Sequence, residues 1–219
     1  MSKEINHLRQ RLVMTLDVRR NIKADLLMDV LDKGDFASLI VYDSQNDTTF
    51  LQQQAELLVN AIEAKSIAFL VSNDSRIAGR IHADGIHLEG TIEDLRSLLE
   101  RRHDSMIIGF GNLRDKHNSM LSGECEPDYL MFGKLGADKK PAPHPRNIAL
   151  SSWWAEVMEI PAIVQAGSDI ATFREVIETK AEFIAVEDII FGHENPQQSV
   201  RQIMQLIEEC DVLDGELAE

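Results

Sequence analysis

Residues able to do chemistry gather at a few short places in this 219-residue chain. Asn73 and Asp74 follow directly on the apolar run SIAFLVS (66–72), and His87 and Glu89 lie in or just beyond a second run, GIHLE (85–89). A third group, Lys134, Lys139, Lys140, His144 and Arg146, occupies KLGADKKPAPHPR (134–146). If both apolar runs are strands, their polar ends point into one mouth. A basic loop beside that mouth would close over an anion as a flexible lid. Plainer roles stand beside these. Asn73 or Asp74 would cap the next helix, His87 would be a hydrogen-bonded core histidine, and the basic loop would be solvated.

Whether these groups meet depends on the elements that carry them. Apolar runs at 12–17, 37–43, 66–72, 85–89, 106–111, 128–133, 161–167 and 183–192 alternate with helical patterns at 22–34, 48–65, 75–82, 92–103, 113–123, 147–159, 169–180 and 195–210. The strands are nearly continuous apolar runs, as expected of strands buried on both faces. Strict alternation implies a parallel sheet. Eight units at this length predict an α/β fold, a closed (β/α)8 TIM barrel in one domain over 1–219, with 211–219 as a frayed tail. The rival is an open doubly wound sheet. In the barrel, strand C-terminal ends form the active face. Trp153 and Trp154 fall on an outer helix, and the Asp-Ile-Ile-Phe run 188–191 reads as core and turn.

Bulk properties narrow the function classes. The formal net charge is −15, which disfavours nucleic acid and anionic membrane surfaces as partners. The N-terminus MSKEINHLRQRL lacks the apolar core of a signal peptide, and no apolar run approaches the roughly 20 residues that span a bilayer. Cys125 and Cys210 form no CxxC, zinc or disulfide pattern, so a cytoplasmic protein is expected. A homodimer through outer helices is the base-rate expectation.

The stretch SIAFLVSNDSRIAGRIHADGIHLEG resembles the thiamine phosphate synthases and their thiazole-tautomerase relatives. There a strand ends in Asn-Asp, a helix follows, and Ala-Asp-Gly-(Val/Ile)-His-Leu-Gly comes next. The matching residues are Asn73, Asp74, Ala83, Asp84, Gly85, Ile86, His87 and Leu88. MIIGFG, PDYLMFGKL, IPAIVQAGSD and FIAVEDIIFG resemble the family's later strands in order, so the likeness covers roughly 35–210. It implies joining an aminopyrimidine methyl pyrophosphate to a thiazole phosphate. Pyrophosphate leaves first, and the thiazole nitrogen captures the pyrimidine-methyl cation. The resemblance puts Asp74 on a Mg²⁺ aspartate, with Glu93 or Asp94 as a second carboxylate. It puts Asn73, His87, Gly111, Lys134, Gly167, Ser168 and Glu187 at substrate-binding places, and Lys139 or Lys140 at the loop lysine.

Several positions depart from the family pattern. Its strand two reads Gln-Leu-Arg-Glu-Lys, whereas this chain aligns Ile40, Tyr42 and Ser44 with the Gln, Arg and Lys. Gly111 replaces a serine, LGADKKPAP replaces a Thr-x-Thr-Lys loop, and Glu187 stands where a serine and amides meet phosphate. A carboxylate there would repel a phosphate by about 1–4 kcal/mol at roughly 4 Å. Two readings therefore remain: a working synthase, or a repurposed barrel of the family that binds a small ligand, isomerises a thiazole or regulates a partner.

Overall fold

A computed structural model describes residues 9–103 and 105–217. Eight strands run β1 Arg11–Asp17, β2 Phe36–Tyr42, β3 Ala68–Ser72, β4 Gly85–Leu88, β5 Ile107–Phe110, β6 Tyr129–Phe132, β7 Ala162–Gln165 and β8 Phe183–Val186. All neighbours pair in parallel, and β1 closes on β8 with Met14 opposite Val186. This closure realises the expected (β/α)8 barrel and excludes the open sheet.

Alternate residues on each strand serve two cores, as a closed sheet requires. Val13, Ile40, Leu70, Tyr129, Met131, Ile163 and Ala185 form one buried cluster. Leu12, Met14, Leu39, Val41, Ile86, Ile108, Leu130, Val164 and Ile184 form the other, together with the helices. Gly109 is required by the first cluster: a Cβ there would lie 1.9 Å from the Tyr129 ring.

The helices are α1 Ala24–Leu31, α2 Thr48–Ile62, α3 Ser75–Arg80, α4 Ile92–Leu99, α5 Lys116–Gly123, α6 Pro145–Val157, α7 Arg174–Ile177, α8 Asp188–Phe191 and α9 Pro196–Leu217. Side-chain caps begin many of them: Asp47 on α2, Asp74 on α3, Thr91 with Asp94 on α4, Asp115 on α5 and His144 on α6. Such caps satisfy N–H groups that a helix leaves unpaired. Trp154 is fully buried against Phe132 and donates from Nε1 to Ile160 O at 2.8 Å. Its neighbour Trp153 stays part-exposed, with Lys116 over its ring at 4.6 Å.

Three elements differ most from expectation. The last strand stops at Val186, and 188–191 form α8, packed on α9. A short apolar run reads equally as buried strand or buried helix. The helix expected over 169–180 is a 3-10 turn at Ile170–Thr172 followed by the one-turn α7. The closing helix continues to Leu217, beyond the expected end at 210, since no proline interrupts it; 218–219 lie outside the described residues.

The opposite end of the barrel carries a structural acid pattern. Asp84, Asp128 and Glu182 each precede an even-numbered strand and accept a hydrogen bond, at 2.7 Å, from a backbone N–H of the odd-numbered strand before it: Phe69, Ile108 and Ala162. These N–H groups start strands, where the ladder leaves donors unpaired, and the carboxylates satisfy them.

Candidate active site

Strand C-terminal ends bring Asn73, Glu89, Gly111, Lys134, Gly167 and Glu187 to one rim, because every strand is parallel. The rim falls into two parts. On the β8, β1 and β2 side, Glu187 is fully buried. It accepts from Tyr42 OH at 2.8 Å, Arg20 Nε at 2.7 Å, the Asp17 amide at 3.0 Å and Thr15 Oγ1 at 3.3 Å. Burial pushes its carboxyl above the usual range, while the Asp17 amide, Tyr42 and Arg20 pull it back. Arg20 also bonds Asp188. Arg19 forks onto Asp43 with two 2.7 Å bonds, which hold that carboxyl down to about 2. Both arginines of this side are thus neutralised within the fold. Glu187, expected at a substrate position, faces four internal donors instead.

The 134–146 loop is a strap across the rim. Leu135 packs on the inner cluster, and its amide donates to Glu89 Oε1 at 2.7 Å. Gly136, at φ +74°, passes over Tyr42, whose hydroxyl would be 3.0 Å from a Cβ placed there. The left-handed backbone at that point suits glycine. Gln165 clamps the strap from below, accepting from the Lys134 amide at 2.9 Å and donating to the Lys134 carbonyl at 2.6 Å. Asp138 Oδ2 accepts from the Asp188 amide at 2.6 Å, and Lys139 Nζ meets Asp188 at 3.1 Å. The Ser168 and Asp169 amides donate to the Lys140 and Pro141 carbonyls at 2.8 and 3.1 Å. The glycine turn expected to hold phosphate therefore has its amides paired with the chain's own loop. Gly167 permits that contact: a Cβ would lie 2.1 Å from Pro141 O.

The remaining expected residues fall into place around these parts. Asn73 adopts φ 57°, which Asn tolerates, and accepts from the Glu89 amide at 2.7 Å, tying the β3 and β4 ends together. His87 does not line the mouth: it is fully buried, with Nδ1 2.9 Å from Tyr129 OH. Burial pushes its pKa down to about 3, so it is neutral. Gly111 makes room for that ring, since a Cβ would be 2.6 Å from Nε2. The serine position is thus occupied in space by His87. Glu89 lies nearby, its carboxyl raised by burial. Lys134, Lys139 and Lys140 are exposed.

The expected magnesium carboxylates both cap helices. Asp74 Oδ1 accepts from the Arg76 and Ile77 amides at 2.9 and 3.0 Å, the capping role weighed from the sequence. Asp94 completes a capping box with Thr91, taking bonds from its amide and hydroxyl. Each carboxylate belongs to a different helix start. Among the described residues no three His, Cys, Asp or Glu side chains converge to hold a metal ion.

Sequence reasoning missed a second feature of this face. A cavity of about 300 Å³ lies between the β5, β6 and β7 ends and the start of α6. Arg114, Lys134, His144 and Arg146 line it, with Asn112, Asp138, Asn147 and Gln165. The basic loop residues were legible as a group; Arg114 and Asn147 join them only through the fold.

Comparison with known proteins agrees with this architecture. The thiamine-phosphate synthase of Erythrobacter litoralis is 32% identical over 145 residues, covering 63% of this chain and 66% of that protein. That of Rhodospirillum centenum is 25% identical over 171 residues, covering 78% and 83%. The solved thiamine phosphate pyrophosphorylase from Pyrococcus furiosus shares the fold, with TM-score 0.73 at 18% identity, covering 93% of this chain and 98% of that one. The family model for thiamine monophosphate synthase matches residues 12–190, from the first strand through α8. Barrel, strand-end motifs and family model coincide over the same residues, and the chain belongs to the thiamine monophosphate synthase family.

Proposed function

We propose that this chain condenses an aminopyrimidine methyl pyrophosphate with a thiazole phosphate, giving thiamine phosphate and pyrophosphate. The observation that carries the reading is the family match over 12–190, on a barrel whose C-terminal face holds Lys134, Lys139, Lys140 and Arg146. The carbon–oxygen bond to pyrophosphate breaks with its electron pair leaving on oxygen, and the thiazole nitrogen's lone pair forms the new carbon–nitrogen bond. Departing negative charge needs preorganised cations and donors. Arg19 and Arg20 are held by buried carboxylates, so that task falls to Lys140 and to Lys139, whose exposed ammonium would leave Asp188 for the pyrophosphate. Thiazole phosphate would displace the Lys140 and Pro141 carbonyls from the Ser168 and Asp169 amides, lifting the strap. The protein works in the cytoplasm as a homodimer, on phosphorylated small molecules rather than nucleic acid. Among the described residues no helix is long and apolar enough to cross a membrane.

The test is a rate assay with both substrates and Mg²⁺. Thiamine phosphate should form, and Lys139→Ala with Lys140→Ala together should lower kcat/KM by about 10²-fold, or about 2.7 kcal/mol. No product, beside an active control enzyme, would refute the reading. One observation favours a second reading, a repurposed barrel: the Glu187 network occupies the place of the missing cations. Absence of turnover together with tighter pyrophosphate binding by Glu187→Ser than by wild type would support it.

A further inference from the structure

Helix α6 turns Asn147, Leu150, Ser151 and Trp154 toward the barrel, and all four are buried. Its outer stripe runs Arg146, Ala149, Trp153 and Glu156, spaced three, four and three residues apart, so these side chains share one face. Arg146, Ala149 and Glu156 are exposed and Trp153 is part-exposed. Val157, next to Glu156, is an apolar side chain left 54% exposed. Arg146 and Glu156 make no side-chain ion pair among the described residues.

The two charges also run against their own helix. Arg146 lies in the first turn of α6 and Glu156 in the last, with no acid in the first turn and no base in the last. A helix favours the reverse, because its N-terminus is partly positive and its C-terminus partly negative. An antiparallel copy of α6 removes both conflicts. With a two-fold axis at the level of Ser151, Arg146 lies opposite Glu156 of the partner subunit, because 146 and 156 are equally far from 151. By the same symmetry, small Ala149 lies opposite large Trp153. A two-fold interface needs this kind of self-complementarity, in charge and in shape. A chain of net charge −15 repels its own copies, but α6 has no acidic residue over 145–155 and the adjoining α5 has none over 116–123. Two copies can approach here without setting acid on acid.

We propose that the outer face of α6 is the interface of a two-fold homodimer, packed antiparallel on α6 of a second copy of this chain. Arg146 pairs with Glu156 of the partner subunit, and Trp153 seats over the partner's Ala149. Lys116 of the same subunit lies over the Trp153 ring at 4.6 Å and holds it in place. The inference rests on the homodimer of the proposed function and names its face; it does not rest on the synthase reaction.

Sedimentation velocity and native mass spectrometry of the full chain test the proposal. Wild type should be a dimer at micromolar concentration. Glu156→Arg and Arg146→Glu should each raise the dimer dissociation constant at least tenfold, since each sets like charges face to face. Mixed in equal amounts, these two variants should form a heterodimer, because every arginine then meets a glutamate again. Both substitutions in one chain should restore the wild-type constant to within threefold. Ala149→Trp fills the place of the ring and should weaken the dimer at least tenfold with the charges untouched. A monomeric wild type would overturn the homodimer and this face together. A dimeric wild type whose constant ignores the substitutions, or single variants that stay apart when mixed, would overturn this face and leave the homodimer standing. Circular dichroism of each variant separates loss of association from loss of fold. The readout is mass, so no outcome bears on thiamine phosphate formation.

Discussion

At the scale of single residues, two buried titratable groups make opposite demands on the fold. His87 is neutral because burial holds its pKa near 3. An unfolded histidine titrates near 6.5. Its folded value is depressed, so between these limits the unfolded chain takes the proton first. The stability it contributes above about pH 6.5 is lost as pH falls toward 3. His87→Leu should flatten that slope in urea midpoints measured from pH 7 to 3. At pH 7 it should also cost about 1–3 kcal/mol by leaving Tyr129 OH unpartnered, a cost that shrinks as pH falls and wild type loses the His87 contribution. An unchanged slope would contradict the buried neutral ring. Glu187 is raised instead, so its stabilising effect is greatest in acid and falls as pH rises through its folded value. Removing it is another matter: Glu187→Ala leaves Arg20 facing a buried hole and should cost about 3–5 kcal/mol in urea unfolding. A loss below about 1 kcal/mol would show that Asp188 alone satisfies Arg20. This network was partly legible. Glu187 stood out as an intruding carboxylate, but Tyr42 and Arg20 meet it only because β8 closes on β1 and β1 pairs with β2. No local pattern announces a partner separated by 145 positions.

At the scale of elements, the Asn-Asp that ends β3 holds the rim together. Asn73 fixes the β4 end, and Asp74 starts α3. Asp74→Ala should cost about 0.5–2 kcal/mol of stability as a lost cap. A change within about 0.2 kcal/mol would remove the capping role. The sequence showed both residues, and the hydrogen bonds from the Arg76 and Ile77 amides show the cap. The 134–146 loop was legible as a basic lid, but not as one latched by backbone contacts, because carbonyl and amide partners leave no mark in residue types. Gly167→Ala drives a Cβ into Pro141 O and should unlatch the strap. Tryptic cleavage after Lys139 should then run at least fivefold faster than in wild type. An equal rate would mean that the strap does not depend on this contact.

At the scale of the whole molecule, alternation of apolar runs specified a parallel sheet buried on both faces, eight units at this length pointed to the barrel over an open doubly wound sheet, and the β1–β8 pairing closes it. The same alternation hid finer features. Asp84 and Asp128 sit in motifs shared with the family, yet they anchor strand starts at the end opposite the rim. Helical and strand signals also merge over 188–191, where α8 carries buried Ile189 and Ile190. Inside the barrel, Tyr129 fills space that Gly109 leaves free. Gly109→Ala should therefore destabilise by about 1–3 kcal/mol, read from thermal or urea unfolding; a neutral result would place the ring elsewhere.

The central claim is that a synthase-family barrel receives a phosphorylated substrate at a rim its own loop now covers. A crystal structure of the protein soaked with thiazole phosphate tests it most directly. The account predicts phosphate oxygens on the Ser168 and Asp169 amides, with the Lys140 and Pro141 carbonyls moved away and Glu187 still bound to Arg20 and Tyr42. Saturating thiazole phosphate with the strap still latched on those amides and no phosphate at the rim would contradict it.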